Sequence, residues 1–276
     1  MSLSSNNVVD RENLMGENEF TIRIADLNVR FHNRYNLIRK YCADYLTEDG
    51  KMPDLEVDPL GDDVFSMGWM HWVNGERVLL TQAEIEYEMT PIYNLYPKLP
   101  AYDAFWVHAV LVSMDGEGYA FTAPSGYGKS TQGKNWLKYF PGRAKIINGD
   151  EPIFRKVEGE YRAYGTPFCG KEFWNINTSV PLRGLCFLKR GDVNSIERME
   201  PALAYARLVH DSQRNKAIRM EDQKQYLGVL ADFLEYVPVY TLICTADAAS
   251  AGTAYEGMKM GWEDFQRQKR SEGYNS

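Results

Sequence analysis

The stretch APSGYGKST, Ala123 to Thr131, sets two glycines, a lysine and adjacent hydroxyls at the A/G-x-x-x-x-G-K-S/T spacing of a phosphate-binding (Walker A) loop. A glycine-rich turn lets successive backbone N–H groups point into one concavity, and the helix N-terminus that follows favours negative charge there. Gly126 and Gly128 supply conformations and close approach that a Cβ would obstruct. Lys129 is expected to reach the β/γ-phosphates and the Ser130 hydroxyl to ligate Mg²⁺. Ala123, Pro124, Ser125, Gly126, Tyr127, Gly128, Lys129, Ser130 and Thr131 are therefore the expected nucleotide-binding residues. The bland alternative is a chance match in an ordinary strand-to-helix turn.

Other residues could complete such a site. Asp150, in Asn148-Gly149-Asp150, could accept a proton from an acceptor hydroxyl or serve as a second Mg²⁺ ligand beside Ser130; equally, Asn, Gly and Asp are turn formers. His108 follows Phe105, Trp106 and Val107 on an apolar run, where a hydrogen-bonded core histidine is the simpler reading and a contact to the γ-phosphate or to Asp150 the functional one. Lys171, with Glu172 beside it in GTPFCGKEFWN, is either a surface lysine or a cationic contact to phosphate or to an acidic substrate. Arg183 carries the same ambiguity, and Cys169 has no histidine near it in sequence. His32, His71 and His210 have no partner that spacing identifies.

These residues need elements to hold them. FWVHAVLVSMDGEGYAFTA reads as two apolar runs joined at Asp115–Gly118, a β-hairpin that delivers the chain into the loop. TQGKNWLKYF then reads as a helix stopped by Pro141-Gly142. Short strands follow in KIINGDEPIFRKV, EYRAYGT and VPLRGLCFLKR, helices over 199–209 and 221–235, a buried strand VPVYTLICT and a last helix in DAASAGTAYEGMKMGW. Upstream, FTIRIADLNVRFH predicts two strands around Ala25-Asp26, NRYNLIRKYCADYL a helix, DLEVD a strand, and Thr81-x-x-Glu84 the capped start of a helix running towards Pro91. The first ~15 residues and those after Arg270 are polar enough to be expected mobile. The pattern predicts an α+β portion over 1–100 followed by a nucleotide-binding core over 101–270, with a mixed sheet and not a doubly wound parallel one.

At 276 residues and 44% hydrophobic content the chain can bury a large core. A net charge of −7 and a pI near 5.3 argue against general nucleic-acid binding. No run approaches the ~18 apolar residues of a membrane span, and the N-terminus lacks a secretory pattern, so a cytoplasmic protein is expected. Four scattered cysteines without a C-x-x-C pair suggest reduced thiols, not a zinc site or disulfides.

The segment His108–Ser130 resembles the C-terminal domain of HPr kinase/phosphorylases, whose nucleotide core is related to ATP-dependent phosphoenolpyruvate carboxykinase. In that family a histidine opens the strand pair 21 positions before the loop lysine, the interval between His108 and Lys129. IINGDEP, Ile146 to Pro152, is similar to the strand end carrying two adjacent aspartates there; Asp150 matches the second, the catalytic base, and Gly149 stands in place of the first. A closer likeness, over nearly the whole chain, is to bacterial proteins sharing GTP-x-x-GK, here Gly165 to Lys171. The resemblance implies a mixed-sheet P-loop core with an N-terminal α+β extension and a kinase using ATP and Mg²⁺, with His108, Lys129 and Asp150 catalytic. Glu172 is the nearest candidate for the family's Mg²⁺-binding glutamate. The expected acceptor is a hydroxyl of a small molecule, or a serine of a peptide or protein, and the family's oligomeric habit implies self-association. A nucleotide-binding regulatory protein without catalysis is the alternative.

Overall fold

Alternating apolar residues in FTIRIADLNVRFH fold into a hairpin, β1 (Glu19–Ile24) and β2 (Leu27–His32), in the computed structural model, which describes residues 19–73, 76–212 and 220–273. Ala25 and Asp26 at the turn have φ of 50° and 57°, the left-handed pair that matches a hairpin's twist. The expectation for the polar N-terminal segment lies outside the described residues. The chain divides into two units, Met1–Lys98 and Leu99–Ser276.

In the first unit the helix expected over NRYNLIRKYCADYL is cut short. Only α1 (Leu37–Tyr41) and a 3-10 turn over Ala43–Tyr45 form. Asn36 gives no side-chain cap, and Leu46 leaves in an extended conformation to bridge Ile22 while Thr47 N–H bonds Thr21 O at 3.0 Å. Pairing with β1 outcompetes another helical turn. β3 (Leu55–Val57) lies parallel to β2; α2 (Asp62–Ser66) and a small hairpin, β4 (Met70–Val73) and β5 (Glu76–Leu79), follow. α3 (Gln82–Thr90) starts with the expected capping box, Thr81 and Glu84 each satisfying the other's backbone N–H. Pro91 does not stop the chain's coiling, because it opens a wider turn over Pro91–Leu95 where its missing N–H is not needed. On α3 the fully buried Glu86 accepts the backbone N–H groups of Arg34 at 2.8 Å and Tyr35 at 3.1 Å.

The second unit is built on a nine-stranded mixed sheet. Its elements are β6 (Ala104–Trp106), β7 (Ala109–Met114), β8 (Glu117–Thr122), α4 (Lys129–Tyr139), β9 (Ala144–Asn148), β10 (Ile153–Val157), β11 (Glu160–Tyr164), β12 (Ser179–Arg190), β13 (Ser195–Arg198), α5 (Pro201–Ser212), α6 (Met220–Tyr236), β14 (Val239–Cys244) and α7 (Ala249–Gly273). The residues beyond Arg270, expected mobile, thus continue α7 to Gly273. The strand order is β6-β10-β11-β12-β8-β7-β9, with β14 on the second half of β12 and β13 on β14. β8, β12 and β14 run parallel; β7 is antiparallel to both β8 and β9.

Every residue of β7 is buried, because both faces of the sheet are covered. Ala109 and Leu111 join Ala120, Phe154, Leu230 and Phe233 in a core that takes in α5 and α6. Val110, Val112 and Met114 pack the other way, with Phe121, Trp136, Ala254 and Met258 of β8, α4 and α7. The result is a helix–sheet–helix sandwich in which period-two alternation along each strand feeds two cores. Among the described residues no helix is long and apolar enough to cross a membrane.

Candidate functional site

The strand directions bring one set of chain ends to one edge. β8, β9, β12 and β14 all finish there and β7 starts there, so the segments at 123–128, 149–151, 191–194 and 245–248 and His108 share the carboxyl edge, where ligands of such sheets bind.

Ala123–Gly128 connects β8 directly to α4. Gly126 and Gly128 have φ of 77° and 106°, left-handed conformations that a side chain would strain. Tyr127 N–H donates to Pro124 O at 3.1 Å, closing a turn, and Gly128 precedes the first residue of α4 without a side-chain cap. Pro124 to Tyr127 are exposed, whereas Lys129 is buried, at 7% exposure. Its ammonium donates to Ala123 O at 3.1 Å and lies 3.4 Å from His108 Nδ1. On the other side of the ring, His108 Nε2 is 2.7 Å from Asp150 Oδ1. With its proton on Nε2, a neutral imidazole donates to the carboxylate and accepts from the lysine. The structure thus brings Lys129, His108 and Asp150 into one chain of contacts, with Ser130 half-buried in the first turn of α4.

Both backbone and side chains fix that geometry. Thr122 Oγ1 donates to His108 O at 2.9 Å, and Ala109 N–H to Asp150 O at 2.8 Å. Asn148, fully buried, accepts the N–H groups of Asp150 (2.9 Å) and Glu151 (2.8 Å) on Oδ1 and donates through Nδ2 to Thr166 O and Oγ1. Thr166 Oγ1 in turn donates to Glu151 O at 2.8 Å. Asn148-Gly149-Asp150 is therefore a turn, as its composition suggests, and also the device that aims Asp150 at His108.

The Gly165–Lys171 loop lies against this turn. A Cβ on Gly149 would stand 2.6 Å from Cys169 O, and one on Gly170, itself at φ 73°, 3.2 Å from Asp150 Cβ. Lys171 is exposed beyond this contact and Glu172 is half-buried. Cys169 is buried, and burial first, then the charges of Asp150, Glu151 and Glu172, pushes its thiol up to about 12. A thiol raised by burial in this way is poorly suited to act as a nucleophile. Arg183 is committed elsewhere, bonded to Glu117 at 2.8 Å and Glu160 at 2.9 Å and set over Trp262. Among the described residues no group of three or more His, Cys, Asp or Glu side chains could hold a metal ion.

Sequence reasoning missed Asn148 and Thr166 as positioning groups, although the Asn-Gly-Asp turn signalled the first. It also missed Arg190, the last residue of β12, whose Nη2 donates to Gly126 O at 2.5 Å while its guanidinium sits 4.8 Å from the Tyr127 ring centroid. No local signal marks an arginine that a neighbouring strand delivers to the loop. Behind the loop, the buried Ser250 of α7 donates to Gln132 Oε1 at 3.0 Å, and Asn135 Nδ2 donates to Ser250 Oγ at 3.0 Å and Asp247 O at 2.8 Å, tying α4 to α7.

The family profile of the SynChlorMet cassette protein ScmC matches residues 80–254. No curated protein matches the chain. Among solved structures, an HPr(Ser) kinase/phosphatase from Coxiella burnetii is similar at 12% identity, covering 44% of this chain and 95% of its own; its TM-score of 0.26 is too low to define the fold.

Proposed function

The chain belongs to the ScmC family of SynChlorMet cassette proteins, and from the geometry at its sheet edge we propose that it is an ATP-dependent phosphotransferase. The observation that carries this reading is the contact chain Lys129 Nζ, His108, Asp150 Oδ1, at 3.4 and 2.7 Å, beside a glycine loop that opens α4. The loop amides and Lys129 hold the polyphosphate and neutralise its charge. Asp150 takes the proton of an acceptor hydroxyl as its oxygen bonds the γ-phosphorus and the bond to the departing ADP breaks. His108 holds the carboxylate in line and shares the arriving proton's charge. On this reading Leu99–Ser276 is an HPr kinase-type core, as the sequence of His108–Ser130 suggests, and the acceptor is a small-molecule hydroxyl or a serine of a peptide or protein.

Mg²⁺ fits this edge in a limited way. Ser130 and Asp150 would be the protein groups offered to it, and so few ligands suit an ion that retains several waters. When bound it spreads the negative charge of the phosphates.

Lys129→Ala is expected to abolish nucleotide binding by calorimetry. Asp150→Asn should keep binding and lower γ-phosphate transfer about 100-fold or more. Wild-type transfer by both variants overturns the assignment. A second reading, nucleotide binding without turnover, is favoured by one observation: position 149 has no room for a second carboxylate. Tight binding with no loss of γ-phosphate across small-molecule and peptide hydroxyl acceptors would select it.

A further inference from the structure

Resting on the nucleotide reading, we infer that Arg190 is a positioning residue that holds the phosphate loop in its ligand-ready form. The last pair between β8 and β12 is Thr122 with Phe187, so the chain beyond both points runs on side by side, and Arg190 arrives level with the loop. Its Nη2 donates to the carbonyl oxygen of Gly126 at 2.5 Å, and its guanidinium stacks 4.8 Å from the centre of the Tyr127 ring, which is 51% exposed.

In a planar trans peptide the Gly126 C=O and the Tyr127 N–H point in opposite directions. Fixing the carbonyl towards Arg190 turns that N–H back across the loop, where it meets Pro124 O at 3.1 Å. The peptide joins Gly126, at φ 77°, to Tyr127 and turns about the Cα bonds of these two residues, of which Gly126 is free to adopt other conformations. Unpinned, it can rotate its carbonyl into the concavity, where an oxygen dipole repels phosphate. The arginine combines a cationic donor with a planar face for Tyr127; a lysine supplies only the donor.

The test compares the wild type with Lys129→Ala, Arg190→Ala and Arg190→Lys, titrating MgATP and, separately, inorganic pyrophosphate by calorimetry, with thermal unfolding of each protein without ligand. Arg190→Ala is expected to bind both ligands about tenfold more weakly, from a partly exposed charge-assisted bond, with unchanged unfolding. Arg190→Lys should fall between it and the wild type. Equal losses for pyrophosphate and MgATP place the effect on the loop, and KM should rise with kcat nearly unchanged. Wild-type affinity in Arg190→Ala, or in Arg190→Lys should the alanine variant not fold, overturns the inference when Lys129→Ala has lost binding. No binding of either ligand by the wild type overturns the nucleotide reading, and this inference with it; retained wild-type affinity in Lys129→Ala moves the ligand off the loop and overturns this inference alone.

Discussion

A side chain at position 149 would begin 2.6 Å from the carbonyl oxygen of Cys169, closer than real Cβ atoms approach such a group, so the Asn148–Asp150 turn has room for one carboxylate. The Gly165–Lys171 loop occupies the space that a second would need, and Gly170 packs on Asp150 itself. Gly149→Ala must therefore move either the loop or Asp150. Acceptor turnover is expected to fall at least about tenfold, because small misplacement of a base is costly, while nucleotide Kd changes less than about threefold. Steady-state kinetics beside calorimetry checks the split; unchanged turnover would show that the loop yields at no cost. His108, Lys129 and Asp150, singled out in the sequence by the loop pattern and the family resemblance, lie in mutual contact in the structure. The positioning roles of Thr166 and Arg190 were not legible, since they depend on hydrogen bonds to backbone brought near by the fold, over intervals that no local pattern encodes; Asn148 bonds the N–H groups two and three residues on, and the Asn-Gly-Asp turn was its signal.

Among the elements, α4 presents the loop and α7 braces α4. α7 was readable as a helix despite Gly252, where a Cβ would meet the outer end of the exposed Tyr139 ring at 2.7 Å and push it aside. The brace itself is polar. Ser250 is fully buried and links Gln132 and Asn135 of α4 to Asp247 O, with Asp247 Oδ1 accepting Ala249 N–H at 2.8 Å. Ser250→Ala strands the Gln132 oxygen without its donor, and leaving a buried polar atom unpaired costs about 1–3 kcal/mol. Denaturant unfolding should show that loss; Ser250→Thr keeps the hydroxyl but adds a methyl at a closed site and should be no better than partial rescue. A fully wild-type midpoint for Ser250→Ala would mean the network contributes nothing. The strands and helices of this unit were readable because both sheet faces bury apolar residues, except β6 and β13, which the pattern did not mark. The shortened α1 was not, because a single bridge between Leu46 and Ile22 decided it.

At the scale of the molecule, one buried carboxylate sets a pH dependence of folding. Glu86 accepts the Arg34 and Tyr35 amides, which favour its charged form, yet burial dominates and raises it from 4.5 to about 7. Between those two values the folded chain keeps a proton that the unfolded chain has released. Stability contributed by this group is therefore full below about pH 4.5, declines as pH rises towards 7, and stays low above it, opposite to a salt-bridged carboxylate. The difference is on the order of 3 kcal/mol. Glu86→Gln removes the titration but leaves an amide donor facing one of the two backbone N–H groups, so the variant should be less stable than wild type at pH 5 by about 1 kcal/mol. Its disadvantage should shrink or reverse at pH 8, because the wild type alone has lost stability on the way. Thermal unfolding of both proteins at the two pH values reads this directly as a change in the gap between their midpoints. A gap that stays constant from pH 5 to pH 8 would show that Glu86 is ionised throughout and that its two amide partners, not burial, govern it.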